Sequence, residues 1–267
     1  MIIATHGIIA SQMSGIDADA QAFFDRVTTA GGTLSATEKT AVNKLVLDLK
    51  GYSIWTKMKA IYPMVGASSA ACAQNLKSSS FTGTFSGGWT YASTGVKGNG
   101  TTGFFNTQFN NQGNWTSTSN GSMGFLSRTN ESAAICDMGA GTISSGANSS
   151  TIYASFNGTY YGGINCTSVV PGASNSSSIG FFATVRANSS AYSIYKRGSS
   201  TINLTTTDAI GSNPNQNIYL GAGNDSGTAS RFSNKEFSFC FIGDSLTQTD
   251  VDNYWTALQT FNNSLSR

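Results

Sequence analysis

The chain changes its chemical character near residue 63, and this change limits the folds available to it. Residues 1–63 carry 11 charged side chains, whereas the 204 residues that follow carry only 17. Apolar residues recur at helical spacing in the first part, while the rest consists of short apolar and aromatic runs between Gly, Ser, Thr and Asn. The sequence therefore predicts a helical segment of residues 1–66 joined to a weakly charged β domain of residues 67–267, typical of an assembly module attached to a display module.

An apolar arm and a short helix open the chain. Asp17 can cap a helix that continues to about Ala30 and carries apolar residues along one face. Short amphipathic helices bury little surface by themselves, so the arm and the helix are expected to pack on a neighbour. The candidate assembly contacts are Ile2, Ile3, Ile8, Ile9, Phe23 and Phe24.

A second helix is predicted from the stretch Ser35-Ala36-Thr37-Glu38, which fits a capping box, and Gly51 closes it. Residues 54–61 are interpreted as a further helical turn. Near the other end of the chain, Thr247 or Thr249 can cap a final helix that is expected to lie back against the β domain.

About ten strands of five to nine residues are predicted after residue 80. They are Phe81–Tyr91, Gly103–Thr107, Ser122–Arg128, Ala133–Asp137, Thr151–Phe156, Thr159–Ile164, Ile179–Ala187, Ala191–Lys196, Ile218–Gly221 and Glu236–Ile242. With no helix between them, these strands indicate a mainly β fold with an antiparallel sandwich. The loops 139–150 and 172–178 contain almost no large side chains, so they are either mobile or packed closely by backbone.

The low charge restricts the function. Charged residues make up 10% of the chain, against about 25% in ordinary soluble domains. Hydroxyls and amides must then form most of the surface, which suits contact with sugars; a low-charge β protein with no ligand stays an equal alternative. A net charge of +2 without a run of Lys or Arg predicts no binding to nucleic acid. No apolar stretch is long enough to predict a membrane-spanning segment, and the first residues do not resemble a signal peptide.

Two patterns suggest catalysis, and each has a simpler interpretation. Residues 241–246, Phe-Ile-Gly-Asp-Ser-Leu, look like the nucleophile block of GDSL esterases, but His6 is the only histidine available as a base. The favoured interpretation is the end of a strand followed by a capped helix. A glycosidase needs two carboxylates in one groove, and the acids of the β domain are scattered along the sequence. The chain is therefore predicted not to be an enzyme, with a polysaccharide-degrading enzyme as the least favoured alternative.

Aromatic residues are the best candidates for binding. Neighbours on a strand point to opposite faces, so one member of the pair Tyr160 and Tyr161 should face outward. The candidate glycan contacts are Tyr160, Tyr161 and Trp115. No cofactor or metal is expected from the spacing of the four cysteines. Calcium is the one alternative, because residues 224–227, Asn-Asp-Ser-Gly, could be part of such a site, although a turn is favoured.

Several stretches carry a resemblance to phage proteins. These are residues 17–23 (DADAQAF), 45–51 (LVLDLKG), 55–63 (WTKMKAIYP), 75–77 (NLK), 87–90 (GGWT) and 95–100 (GVKGNG). The first three resemble an N-terminal segment of phage virion and tail proteins, and the others resemble the opening of concanavalin-A/laminin-G-like jelly rolls attached to it. The C-terminal part of the chain is similar to the last strand and final helix of such jelly rolls.

The resemblance implies a concanavalin-A-like jelly roll carried on a virion that is assembled in the host cytoplasm. The implied protein is a non-enzymatic spike, tail or decoration component, and the resemblance leaves open whether its jelly roll binds a ligand. Adhesion to a host-surface polysaccharide is our interpretation of that domain. Its partners would be other virion proteins and further copies of itself, with a trimer favoured. A pure capsid or tail assembly protein that cements other virion proteins and has no external ligand stays open as the alternative.

Overall fold

The computed structural model describes residues 15–168 and 172–267. The helices are α1 (Ala18–Thr29), α2 (Ala36–Gly51), α3 (Ser69–Cys72), α4 (Asn111–Asn114) and α5 (Gln248–Ser264), with a 3-10 turn at Trp55–Lys57. The predicted arm contacts Ile2, Ile3, Ile8 and Ile9, and His6, lie outside the described residues.

Seventeen strands are present in the described part of the chain. They are β1 (Met58–Tyr62), β2 (Thr84–Ser86), β3 (Trp89–Ala92), β4 (Gly95–Gly98), β5 (Phe104–Asn110), β6 (Gly121–Ser127), β7 (Met138–Thr142), β8 (Ala147–Phe156), β9 (Thr159–Cys166), β10 (Ala173–Ser174), β11 (Gly180–Arg186), β12 (Ala191–Arg197), β13 (Ile202–Thr207), β14 (Asn217–Leu220), β15 (Gly223–Asp225), β16 (Thr228–Ser230) and β17 (Glu236–Gly243).

These strands form two sheets. The eight-stranded sheet has the order β13-β12-β11-β6-β17-β4-β3, and β1 also pairs with β17. The nine-stranded sheet has the order β10-β9-β8-β7-β14-β5-β2, with the β15–β16 hairpin attached through β7. All pairs are antiparallel except β15 with β7. The predicted mainly β antiparallel sandwich is confirmed.

The eight-stranded sheet is covered on both faces. On β17, Phe239 and Phe241 pack against the helices, whereas Cys240 and Ile242 pack against the nine-stranded sheet. Because both faces of this strand are buried, its residues 239–242 form an uninterrupted apolar run, in which alternate side chains point to opposite faces. Burial also raises the pKa of the Cys240 thiol, which keeps it neutral in the core.

The helices form a third layer on the outer face of the eight-stranded sheet. Residues of α1, α2 and α5 share one apolar cluster with residues of β11 and β17. The expectation that the C-terminal helix lies against the sandwich is thus confirmed, and Thr247 is its cap, in a capping box with Asp250. Ser35 and Glu38 cap α2 as predicted.

Phe23 and Phe24 do not project toward a partner, contrary to their selection as assembly contacts. Their side chains are 0% and 3% exposed and lie in the cluster between the helices and the sheet. The apolar face of α1 is satisfied by this chain itself, because the outer face of the eight-stranded sheet supplies the surface that a short amphipathic helix needs.

Three local predictions were wrong, and one of them is the strand predicted at Ala133–Asp137, where the structure forms no strand. Residues 58–62 form β1 instead of a helical turn, and they pair with residues 240–243 at the end of β17. Residues 138–142 form β7, although the loop prediction began at residue 139. A Cβ added at Gly139 would lie 2.8 Å from the carbonyl oxygen of Ser150. Close backbone packing, one of the two interpretations offered for this glycine-rich stretch, is therefore the correct one here.

A buried ion pair links the nine-stranded sheet to the segment before β17. Lys235 Nζ lies 2.9 Å from Asp137 Oδ1, and both side chains are fully buried. Asp137 also accepts hydrogen bonds from the Ser233 hydroxyl, at 2.9 Å, and from the Ala154 amide, at 2.8 Å. The carboxylate thus holds three separate parts of the chain together.

Replacing Lys235 by Met should lower the free energy of unfolding by about 3 kcal/mol, because it leaves a buried carboxylate without its cation. Urea unfolding followed by fluorescence measures the change. The double variant D137N/K235M, which removes both charges, should recover part of the loss. A double variant less stable than K235M would contradict this account.

The pairing of α5 with the turn before β1 should depend on pH. Burial alone would raise the pKa of Asp250, but hydrogen bonds from Lys57 and from Thr247 outweigh this effect and lower the pKa from 3.8. The ionised carboxylate therefore stabilises the fold above the unfolded-state pKa, and this contribution is lost as the pH falls through the lower folded-state pKa.

Asp250→Asn should consequently lower the stability by about 1 kcal/mol at pH 7, and the difference from the wild type should narrow as the pH falls below 3.8. Thermal unfolding across this pH range measures it. Asp48→Asn, whose partner Lys44 is largely exposed, is the control and should change the stability little at any pH. A constant difference at all pH values would refute the role of the Asp250 charge.

Candidate functional site

The outward face of the nine-stranded sheet carries a pair of tyrosines that the strand geometry places side by side. On β8, Ile152 and Ala154 lie in the core between the sheets, so Tyr153 faces outward. On β9, Tyr160 faces the core and Tyr161 faces outward. Tyr153 and Tyr161 are direct partners across the two antiparallel strands, which brings their side chains together on one face.

A β-bulge adds a phenylalanine to this pair. The register between β8 and β9 shifts between Tyr153 and Phe156, and such a shift changes the face to which the following side chain points. The Phe156 ring lies 5.7 Å from Tyr153 and 6.1 Å from Tyr161, each in an edge-to-face arrangement at 89°. Asn157 and Gly158, with φ of 50° and 84°, then form the tight connection to β9.

A loop and an arginine complete what we call the aromatic cleft, a site of about 180 Å³. Its lining residues are Ile143, Ser144, Ser145, Gly146, Tyr153, Phe156, Tyr161 and Arg231. Tyr153 is 5% exposed, and Phe156 and Tyr161 are half-buried. The cleft therefore combines the partly exposed rings of Phe156 and Tyr161 with two hydroxyl groups and one cation.

Asp225 holds the loop of the cleft in place. Its Oδ1 accepts a hydrogen bond from the Ile143 amide at 3.0 Å, and its Oδ2 accepts one from the Ser144 amide at 3.1 Å. The favoured interpretation of residues 224–227 is confirmed, because they form the turn of the β15–β16 hairpin, with the Gly227 amide donating to Asn224 Oδ1 at 2.9 Å. The Asp225 carboxylate thus acts as a positioning group for the cleft.

Arg231 lies at the edge of the cleft, directly after β16. Its guanidinium carbon is 5.7 Å from the centre of the Phe156 ring, within the range of a cation–π contact. Its backbone has φ of 53°, in the left-handed region. The Cys136 amide donates to the Arg231 carbonyl at 2.9 Å and fixes this part of the backbone.

The cleft can bind a small ligand that has both apolar and polar faces. Ring surfaces can cover apolar C–H groups, while the Ser144 and Ser145 hydroxyls and the Arg231 guanidinium can bind oxygen atoms. Burial raises the pKa of Tyr153, so its hydroxyl stays protonated and neutral. Sugars present this combination of C–H faces and hydroxyl groups.

Of the three aromatic residues selected from the sequence, only Tyr161 lies in the cleft. Tyr160 is fully buried, and its hydroxyl donates to the Ala183 carbonyl at 2.8 Å. Trp115 is 7% exposed, and its Nε1 donates to the Gly243 carbonyl at 3.0 Å. Both side chains are part of the core, so the structure does not offer them to a ligand. The expectation that one of the two adjacent tyrosines faces outward was correct.

The residues of the cleft that sequence reasoning missed are Tyr153, Phe156 and Arg231. The alternation of Ile152, Tyr153 and Ala154 contained a signal for the first of them. Phe156 depends on the bulge, and Arg231 depends on pairing of β15 with β7 across more than 80 residues of sequence. Neither of these features has a local sequence pattern.

Most of the carboxylates that could have suggested hydrolysis are occupied elsewhere, whereas Glu131 has no basic partner among the described residues. Asp208 pairs with Arg186 at 2.9 Å, Glu236 with Arg128 at 3.6 Å and Asp244 with Lys59 at 3.1 Å. Ser245, from the esterase-like block, follows the last residue of β17, and its amide donates to Asn120 Oδ1. The interpretation of this block as a strand end followed by a capped helix is confirmed.

Comparisons with known proteins place the fold but not a family. No protein-family model matches the chain, and no curated protein does. Domain 4 of AbnA, an extracellular GH43 arabinanase from Geobacillus stearothermophilus whose structure contains arabinotriose, is 13% identical, with 74% of this chain and 98% of that chain covered and a TM-score of 0.51. This likeness shows a shared lectin-like β-sandwich fold.

Two further solved structures are more distant. The CBM40 of the Ruminococcus gnavus IT-sialidase, bound to α2,3-sialyllactose, is 16% identical over 50% of this chain and 80% of that chain, with a TM-score of 0.32. A mutant of Trypanosoma rangeli sialidase that displays trans-sialidase activity is 12% identical over 82% of this chain and 39% of that chain, with a TM-score of 0.45. Similarity at this level does not bear on the function of the present chain.

Asp225→Ala should release the loop that lines the cleft. Without the carboxylate, the Ile143 and Ser144 amides lose their acceptor, and their hydrogen exchange should become at least about tenfold faster. Exchange measured by mass spectrometry on peptides that cover residues 142–147 tests this. Peptides from β11 and β17 are the internal control and should be unchanged. Equal protection of the loop in both proteins would show that another contact holds it.

Proposed function

We propose that the protein is a carbohydrate-binding domain and that its glycan ligand binds in the aromatic cleft. The observation that carries this proposal is the pair of partly exposed rings, Phe156 and Tyr161, on the outward face of the nine-stranded sheet, supported by the buried ring of Tyr153. Three aromatic rings in contact with one another form an apolar surface, and in this protein the hydroxyls and the cation that can orient a sugar stand beside it.

The layers of the molecule support this location. The outer face of the eight-stranded sheet is covered by helices, and the space between the sheets is filled by core residues. Within residues 15–168 and 172–267, no layer of structure covers the outward face of β8 and β9. Half-buried aromatic rings at such a place are available to a ligand, because no packing requirement of the described fold uses their open surfaces.

The solved structure of the arabinanase domain adds support of a general kind. That domain shares the β-sandwich fold and was solved in complex with arabinotriose. A saccharide is therefore a reasonable first ligand class to test on the present chain, and the residues of the aromatic cleft define where to look.

We also propose that binding occurs without turnover. Asp137, Asp208, Glu236 and Asp244 all pair with basic side chains, and Asp225 binds two backbone amides. Carboxylates held in this way are poorly placed to act as the acid and base of a glycosidase. Incubating the protein with any glycan that it binds, and analysing the products, tests this part of the proposal. No requirement for a metal or cofactor is proposed.

Display on a phage particle stays a prediction from the resemblance of residues 17–100, and so do the homo-oligomer, the favoured trimer and the cementing role. Since Phe23 and Phe24 pack within the chain, a docking surface on α1 and α2 would have to use the outward faces of these two helices. Those faces carry charged residues such as Lys39, Lys44 and Asp25, all exposed. A variant with reversed charges at Lys39 and Lys44 tests this role. Measuring its incorporation into particles separates docking from glycan binding.

Tyr161→Ala should weaken glycan binding at least about tenfold, because truncating a central aromatic contact typically costs more than 1 kcal/mol. Isothermal titration with the strongest binder from a glycan array measures the effect. The matched control is Tyr219→Ala, which removes an outward, half-buried tyrosine of the same sheet that stacks on Phe104 outside the cleft.

The control variant should retain the affinity of the wild type. Binding that is lost in Tyr219→Ala and kept in Tyr161→Ala would move the site away from the aromatic cleft. A wild-type protein that binds no glycan on the array would refute the proposed function.

A further inference from the structure

We infer that the ligand of the aromatic cleft carries an anionic group, a carboxylate or a sulfate on a sugar, and that Arg231 binds this group. The inference rests on the proposed function and deepens it, because it names the class of glycan. Three observations about Arg231 lead to it.

The first observation is that Arg231 differs from the other five arginines of the chain. Arg128, Arg186 and Arg197 each lie within 4 Å of a carboxylate. Arg26 donates to the backbone carbonyls of residues 75 and 76, and Arg267 donates to those of residues 63 and 64, at 2.8 to 3.2 Å. Arg231 makes neither kind of contact with any described residue. Its five N–H donors are therefore available to a ligand.

The second observation is the backbone of Arg231. A φ of 53° places a residue with a side chain in the left-handed region, which costs about 1 kcal/mol relative to glycine. Glycine or asparagine would fit the same position at a lower cost. Arg231 therefore lines the cleft at some cost in backbone strain.

The third observation is the electrostatic setting. The guanidinium lies 5.7 Å from the Phe156 ring, so a sugar that packs on the aromatic cleft would lie beside the cation. Asp225, the acid that holds the loop of the cleft, uses both carboxylate oxygens to bind the Ile143 and Ser144 amides. The positive charge of Arg231 is therefore not paired within the cleft, and the planar guanidinium matches carboxylate and sulfate groups through two parallel hydrogen bonds.

The experiment uses the full chain and an array that holds neutral, carboxylated and sulfated glycans. The wild type should select anionic glycans. For the strongest binder, the matched neutral ligand is prepared by carboxyl reduction or by desulfation, and the affinities of both forms are measured by titration. Loss of affinity on carboxyl reduction identifies a carboxylate, and loss on desulfation identifies a sulfate.

Arg231→Gln is the main variant, because it removes the charge and keeps a side chain of similar shape at the same backbone position. It should weaken binding of the anionic glycan about tenfold or more and weaken binding of the neutral form much less. Lys97→Gln removes an equal charge from an exposed position in the other sheet and should leave the affinity unchanged. Arg231→Lys should show an intermediate loss, since it keeps the charge without the planar fork.

Each alternative result has a distinct meaning. Equal binding of the anionic and neutral ligands, or full affinity in Arg231→Gln, overturns the inference, and the proposed function survives if Tyr161→Ala still loses binding. Absence of binding to every glycan overturns both. Should Arg231→Gln fail to fold, the comparison of the two ligand forms on the wild type still decides the question, because it leaves the protein unaltered.

Discussion

The burial of both faces of the eight-stranded sheet determines the rest of this molecule. One face must be covered by the nine-stranded sheet and the other by the helices, because β11 and β17 present apolar side chains on each side. That requirement brings α1, α2 and α5 into one layer, although about 200 residues separate the second helix from the last. It also leaves the outward face of the nine-stranded sheet without a covering helix or sheet among the described residues, and only a small cluster around Cys136, Ile143 and Tyr153 is buried there.

The parts of the fold that sequence predicts are those with local causes. The capping boxes at Ser35 and Thr247 need only a short stretch of chain, and the alternation within β12 and the apolar run within β17 are visible by inspection. Where the cause is distant, prediction fails. Residues 58–62 become a strand because the end of β17 offers an unpaired edge, and Gly139 and Gly141 lie in a strand that has almost no side-chain pattern.

The same distinction between local and distant causes explains which residues of the aromatic cleft could be predicted from the sequence. Tyr161 could be anticipated because adjacent strand residues face opposite ways. Tyr160 and Trp115 were selected for their chemistry, but each donates a hydrogen bond to a distant backbone carbonyl that only the folded chain supplies. Phe156 and Arg231 reach the cleft through a bulge and a left-handed residue, which are backbone irregularities. Irregular backbone of this kind has no periodic signature, so the most informative residue of the cleft is also the hardest to find from the sequence.

The helical layer and the aromatic cleft lie on opposite sides of the molecule, with the thickness of two sheets between them. Attachment to any support through the helices would therefore leave the cleft unobstructed and directed away from that support. Copies fixed side by side in this way would present their clefts in parallel, and a polymer with repeating units could engage several at once. Weak attachment at each cleft would then add up to a long residence time, without any change in the cleft itself.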